Sequence, residues 1–355
     1  MKHDKVMIFA DLQSLIKLGN NKAFKYGRDL KEIIKNHSKI NLIMDETECD
    51  RQWANSESPL RKFCDSYDIP RPNASALFAQ FYNNPKLCAE VDPFALWLIN
   101  TSDKNLQNFR DYMGVWAINT SNIDDLYLYM DHQRSYEIKN VIGGENNNGW
   151  ANYIAELPHS LPPLNSIVLN DRFLIYHTNE ESAEKEGFWG FNNLLTLFNV
   201  ILPKELKIPF HILIACRHPD LSPDNCSRIV DVFMEKVKKL RKYEITIEFV
   251  YSISRHQRNL FSNYFSLTMD RAFNAFRNNS EKINGENKFE LFSYFYNPHA
   301  SGDFKYSMAR NELYQIKDLT EAAQVCIPDE KQKNEDIKKL VTESENLVDN
   351  RLLND

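Results

Sequence analysis

The residues best suited to chemistry in this chain follow the apolar run Ile245–Tyr251. There His256, Arg258 and Asn263 stand at spacing i, i+2, i+7. Strand side chains two residues apart share a face, so an extended segment would project His256 and Arg258 together. A guanidinium holds a phosphate through two parallel hydrogen bonds. The surroundings are basic and aromatic, since Arg255, Arg258, Arg271 and Arg277 interleave with Phe261, Tyr264, Phe265, Phe273 and Phe276. That mixture can contact phosphates and stack on bases. Arg255, Arg258 and Arg271 are therefore candidate phosphate ligands. A plainer reading stays open, with the aromatics in a core, His256 and Arg258 on a strand edge and Asn263 in a turn.

Charge supports an anion role only when it is divided. The whole chain of 355 residues carries Lys+Arg 43 against Asp+Glu 49, a net charge of -6. That excludes a histone-like or strongly basic nucleic-acid binder. Residues 201–310, however, hold 17 Lys+Arg and 12 Asp+Glu, or +5, which leaves -11 for the rest. Part of this basic excess, Lys236, Lys238, Lys239, Arg241 and Lys242, falls at an expected helix C-terminus, where cations are favoured anyway.

The His256, Arg258 and Asn263 spacing resembles the phospholipase D-like superfamily motif H-x-K-x(4)-D, with Arg258 in the Lys place and Asn263 in the Asp place. The resemblance covers roughly residues 200–300. It implies a catalytic set of His256 as nucleophile on phosphorus, Arg258 as the cation on the phosphate oxygens and Asn263 where an acid orients a His. Asn263 cannot supply the negative charge that supports an imidazolium, so the resemblance implies a degenerate, phosphate-binding site. The superfamily also needs a second copy of the motif, in the same chain or across a homodimer. The nearest internal candidate, Asn170-Asp171-Arg172, lacks the His, and Thr268-Met269-Asp270-Arg271 stands in place of the family's Gly-Ser segment. The superfamily's usual company implies a role in bacterial defence or a mobile element.

A second set of candidates is acidic. Asp11, Asp45, Glu46, Glu48 and Asp103 follow expected strands. Sites in open α/β sheets form at the carboxyl ends of strands, and converging carboxylates there can hold Mg²⁺ or Mn²⁺. Asp11 and Asp45 are the candidate metal ligands. Ile8-Phe9-Ala10-Asp11 resembles the opening strand of PIN-like ribonucleases, with Leu12 where a small residue or Asn is usual. His211, Cys216 and His218 are close in sequence, but a strand through them would separate their directions. No G-x-G-x-x-G, Walker-type, G-x-S-x-G or H-E-x-x-H pattern occurs.

These residues need elements to position them. Val6–Ala10, Ile40–Met44, Phe94–Ile99 and Val115–Ile118 read as buried strands. Between them Tyr26–Asn36, Leu60–Tyr67, Ala74–Tyr82 (N-capped by Asn73) and Asn105–Met113 read as helices. The polar run Gly143–Gly149 marks a boundary, and Pro158, Pro162 and Pro163 follow it. Beyond it Ser166–Tyr176, Phe210–Ala215, Ile245–Tyr251, Asn259–Leu267 and Glu290–Tyr296 read as strands. Phe191–Val200, Ser227–Tyr243 and Ile316–Val325 read as helices. Past Pro328 the spacing of Ile337, Leu340, Leu347 and Leu352 predicts a charged helical tail.

The expected fold is α/β, in two domains with mixed or mostly parallel sheets flanked by helices. They are 1–142, 150–327 (phospholipase D-like by resemblance) and the tail 328–355. Of six cysteines no two form C-x-x-C, which predicts reduced thiols and a cytoplasmic protein. No run approaches the ~18 apolar residues of a membrane span, and Asp11 interrupts the first apolar stretch. Three functions remain open. The first is a nucleic-acid-associated protein with a degenerate phosphate site. The others are an active phosphodiesterase or nuclease using His256, and a non-enzymatic module whose acidic first domain and tail dock a protein partner.

Overall fold

The computed structural model describes residues 5–20, 33–119, 121, 133–138, 150–151, 154, 161–175, 189–217, 223–252, 257–273, 275–277, 281–282, 287–294, 305–326, 337–341 and 350–353. It is an α/β protein with one all-parallel sheet and one mixed sheet, both flanked by helices. The chain divides into two compact units. Unit 1 is Met1–His132, Pro163–Asn165 and Ser293–Arg310; unit 2 is Gln133–Pro162, Ser166–Phe292 and Asn311–Asp355.

Unit 1 opens with β1 (Val6–Ala10), an apolar run of the kind that survives only when both sheet faces are covered. Asp11 ends the strand and starts α1 (Leu12–Asn20). A π-type turn, Ile33–His37, leads into β2 (Ser38–Leu42), followed by α2 (Glu46–Ala54) and α3 (Pro59–Tyr67). Then come β3 (Asn73–Ala74), α4 (Phe78–Asn83), α5 (Pro85–Val91) and β4 (Leu96–Leu98). A short α6 (Asp103–Gln107) widens into a π-type turn at Asn108–Tyr112 before β5 (Trp116–Ile118). The sheet order is β3-β2-β1-β4-β5, all parallel. Phe9 on the central strand stacks on Trp97 of β4 at 4.3 Å between ring centroids. Residues 293–310 join this unit through Tyr294 and Tyr306, whose rings lie 6.3 and 5.7 Å from Phe94.

Unit 2 begins at β6 (Gln133–Ile138). The division at His132–Gln133 thus precedes the expected break at Gly143–Gly149, which lies outside the described residues. After β7 (Ser166–Asp171) come α7 (Trp189–Ile201), β8 (Phe210–Cys216), α8 (Pro223–Lys238) and β9 (Ile245–Ser252). β7, β8 and β9 are parallel neighbours. Phe191, Phe233 and Phe249 form an aromatic cluster over them, the first two rings 4.2 Å apart.

The remaining strands of unit 2 are β10 (Arg258–Ser262), β11 (Phe265–Met269), the pair β12 (Phe276–Arg277) and β13 (Glu281–Lys282), and β14 (Asn287–Ser293). Helix α9 (Lys305–Cys326) and β15 (Ile337–Val341) follow. The eight-stranded order is β15-β9-β8-β7-β10-β11-β14-β6.

Three expectations change. Ala74 is a strand residue beside Leu42, and the helix expected over Ala74–Tyr82 starts at Phe78, because Ser75 turns the chain and its hydroxyl accepts from Leu77 N. Asn259–Leu267 is a hairpin: the Ser262 hydroxyl accepts from the Tyr264 and Phe265 amides and closes a turn. The tail is not helical at Ile337–Val341, which pairs antiparallel with β9. An open edge offers a row of unpaired amides and carbonyls, and this outweighs weak helical spacing.

Candidate arginine crevice

Strand β7 is apolar between Ser166 and its last two residues, Asn170 and Asp171, and all six residues are buried. On one side β7 pairs in parallel with β8, and on the other antiparallel with β10. That register sets Arg258 directly opposite Asp171 and Asn259 opposite Asn170. The two basic segments singled out in the sequence, Asn170-Asp171-Arg172 and the one around Arg258, are thus neighbours at the carboxyl end of the parallel strands, where α/β sheets gather ligands.

Asp171 is fully buried. One carboxylate oxygen, Oδ1, accepts from Phe173 N at 3.0 Å, and Oδ2 accepts from Phe273 N at 2.7 Å. Burial pushes its carboxyl up to about 6, while the two backbone amides and the charge of Arg258 pull the other way. Phe173 follows in the turn after β7. The Arg258 guanidinium lies 5.2 Å from its ring centroid and that of Arg172 5.6 Å, both in cation–π range. Arg258 also donates from Nη1 to Asp270 O at 2.9 Å. Its Nε is buried without a hydrogen-bond partner, and among the described residues Arg258 forms no ion pair with a carboxylate.

A polar relay flanks the crevice. Asn170 Nδ2 donates to Gln257 Oε1 at 3.3 Å, and Gln257 Nε2 donates to Glu312 Oε1 of α9 at 2.7 Å. The Arg217 amide at the end of β8 donates to Arg172 O at 3.3 Å. Arg271, beyond β11, is exposed. Arg255 and His256 lie outside the described residues.

Asn263 does not join this site. It is fully buried in the turn between β10 and β11, and its Oδ1 accepts from Ser166 N at 3.2 Å. Ser166 opens β7, whereas Arg258 faces Asp171, which closes it. Five residues of one extended strand separate Arg258 from Asn263, about 17 Å at the usual rise. The spacing that invites the motif reading is therefore spent along a hydrogen-bonded strand.

Asp11 and Asp45 serve as helix starts. Asp11 accepts from Ser14 N and Ser14 Oγ, both at 2.8 Å, and from Asn100 N. Asp45 is exposed and caps α2 through Thr47 N at 2.8 Å. Of the neighbouring acids, Glu48 is held at about 2, chiefly by its hydrogen bond from Arg51, and Glu46 pairs with Arg71. Among the described residues no three His, Cys, Asp or Glu side chains converge.

Sequence reading pointed to Arg258 but missed its setting. Phe173, Gln257 and Glu312 come from separate segments: strand register brings the turn after β7 beside Arg258, and α9 brings Glu312 to Gln257. The available signal was an Asn-Asp pair directly after an apolar Ile-Val-Leu run, in Ser-Ile-Val-Leu-Asn-Asp. No protein-family model matches this chain, and no curated protein matches it.

Proposed function

We propose that this chain binds nucleic-acid phosphate groups through the arginines at the carboxyl end of β7, with Arg258 as principal ligand, and that it binds without cleaving. One observation carries this reading. Arg258 is a half-buried cation that forms no ion pair with a carboxylate among the described residues and has a buried, unbonded Nε. The acid opposite it in the strand register, Asp171, gives both oxygens to backbone amides. A cation held by a carbonyl and an aromatic face leaves most of its donor fork for an incoming anion, and a phosphate fits that fork. Arg172 on the same ring supplies a second charge, and Arg255 and Arg271 are further basic residues close to Arg258 in sequence. Binding without cleavage is favoured because Asn263, the third member of the hydrolytic pattern, is committed to β7.

An intracellular setting fits four buried cysteine thiols, Cys49, Cys64, Cys88 and Cys216. Among the described residues no helix is long and apolar enough to cross a membrane.

The test measures binding of labelled single-stranded DNA, RNA and duplex across a salt series. Log affinity should fall linearly with log salt. Arg258→Ala should weaken binding on the order of tenfold and reduce the salt slope by about 1. Absence of binding at low salt, or an Arg258→Ala protein indistinguishable from wild type, rejects the site. Hydrolysis by wild type that disappears in His256→Ala would replace binding with phosphodiesterase chemistry.

A further inference from the structure

The end of unit 2 opposite the crevice carries a second built contact. Asn350 is fully buried. Its Oδ1 accepts from Ser166 Oγ at 2.8 Å and from Leu352 N at 3.1 Å, and its Nδ2 donates to Ile167 O at 2.9 Å. Arg351 donates from Nη1 to Pro209 O at 2.7 Å, and Leu352 and Leu353 are buried. The segment Asn350–Leu353 thus fills a pocket at the amino ends of β7 and β8. Its chemistry is specific: one side-chain amide satisfies a buried hydroxyl and a buried carbonyl, a guanidinium caps another carbonyl, and two leucines fill apolar space.

Strand β15, earlier in the same stretch, has β9 as its one neighbour and lies at the sheet edge. Lifting it away breaks no other strand pair. What remains is an open β9 edge, an Ile167 carbonyl without the amide that served it, a Ser166 hydroxyl left with His211 O at 3.3 Å, and the apolar space that Leu352 and Leu353 filled. Buried polar groups and open edges are both states that proteins avoid. An occupant must bring a short strand followed, nine residues after its end, by Asn-Arg-Leu-Leu.

Every copy of this chain carries that occupant. We propose that β15 and Asn350–Leu353 exchange between two copies, β15 of one adding to β9 of the other and Asn350 of the first entering the Ser166 pocket of the second. Exchange of an identical element creates no new contact chemistry and is a low-cost route to a dimer. Because a tethered segment enjoys a high effective concentration, the closed monomer prevails in dilute solution and the exchanged dimer forms as protein concentration rises.

Complementation tests this. One variant, Asn350→Ala with Leu352→Asp, keeps the pocket but spoils the inserted segment. A second, Ser166→Val, keeps the segment but spoils the pocket. Each alone should scatter light as a monomer at about 50 μM, and an equimolar mixture should give a 1:1 dimer. Two monomers in the mixture, with both variants folded by circular dichroism, overturn the proposal. Should either variant fail to fold, the otherwise wild-type chain answers. A photoreactive residue replaces half-buried Arg351 in isotopically heavy copies, mixed with light copies at about 200 μM. Cross-links from heavy copies to β7 or β8 of light copies are expected, and cross-links confined within heavy copies reject exchange.

Discussion

Asp171 and Arg258 form an unequal pair. The arginine is half-buried and keeps free donors, while the acid is sealed under backbone amides. Burial raises the Asp171 carboxyl from its ordinary 3.8 to about 6, so the folded state holds its proton longer than the unfolded state. A raised carboxyl contributes stability that is complete below the unfolded value and is lost as pH climbs through the folded one. Between pH 4 and pH 6 wild type should therefore lose about 2 kcal/mol relative to Asp171→Asn, measured by urea unfolding at each pH. A constant difference between the two proteins would contradict it. The same titration reaches the ligand. Below pH 6 the charge opposite Arg258 is neutralised, and phosphate affinity should rise several-fold in wild type but not in Asp171→Asn. At this scale the sequence was half legible. Residue type marked Arg258 as an anion ligand, but type and spacing also marked Asn263, whose amide pins the start of β7. Spacing carries no information about which residues a strand keeps apart.

Elements were more legible where burial dictates pattern. β1, β8 and β9 are rich in apolar residues and lie inside their sheets, and their strands appear where the sequence places them. Short or edge elements were not. β3 has two residues and β15 five, and both are set by a neighbouring strand rather than by their own composition. Close approach of elements is equally hidden. Gly190 on α7 sits against the turn after β7, where an added Cβ would stand 2.0 Å from Leu174 O. The obstacle is backbone, so it cannot swing aside. Gly190→Ala should cost roughly 3 kcal/mol and lower the melting temperature by roughly 6–12 °C. Because the same turn carries Arg172 and Phe173, phosphate affinity should fall with it; a variant that melts like wild type removes this account of the α7 contact. Gly114 is under a similar constraint in unit 1, with φ +60 and Leu164 O 2.3 Å from a would-be Cβ.

For the whole molecule, composition set the class and register set the assembly. An α/β reading followed from alternating apolar runs and amphipathic stretches. The membership of the units did not, because Pro163–Asn165 and Ser293–Arg310 return to unit 1 from far along the chain. The cysteines offer a global probe. Cys49, Cys64, Cys88 and Cys216 are buried, and burial pushes the Cys64 thiol up to about 12 and the Cys88 thiol higher still. A thiol reagent should leave these four unmodified in the native protein and label them only as the chain opens, mapped by peptide mass spectrometry. Rapid native labelling of Cys64 would show that α3 packs more loosely than described.

The pairing of β6 with β14 has a consequence for synthesis. Gln133 lies opposite Phe292, 159 residues later. On a ribosome adding ~5–20 residues per second, β6 emerges roughly 8–30 s before the strand that pairs with it. Over that interval the growing chain can complete the β1–β5 sheet, yet it must carry a strand with no partner. The first strand of the second sheet to be made is therefore the one that waits longest for its neighbour.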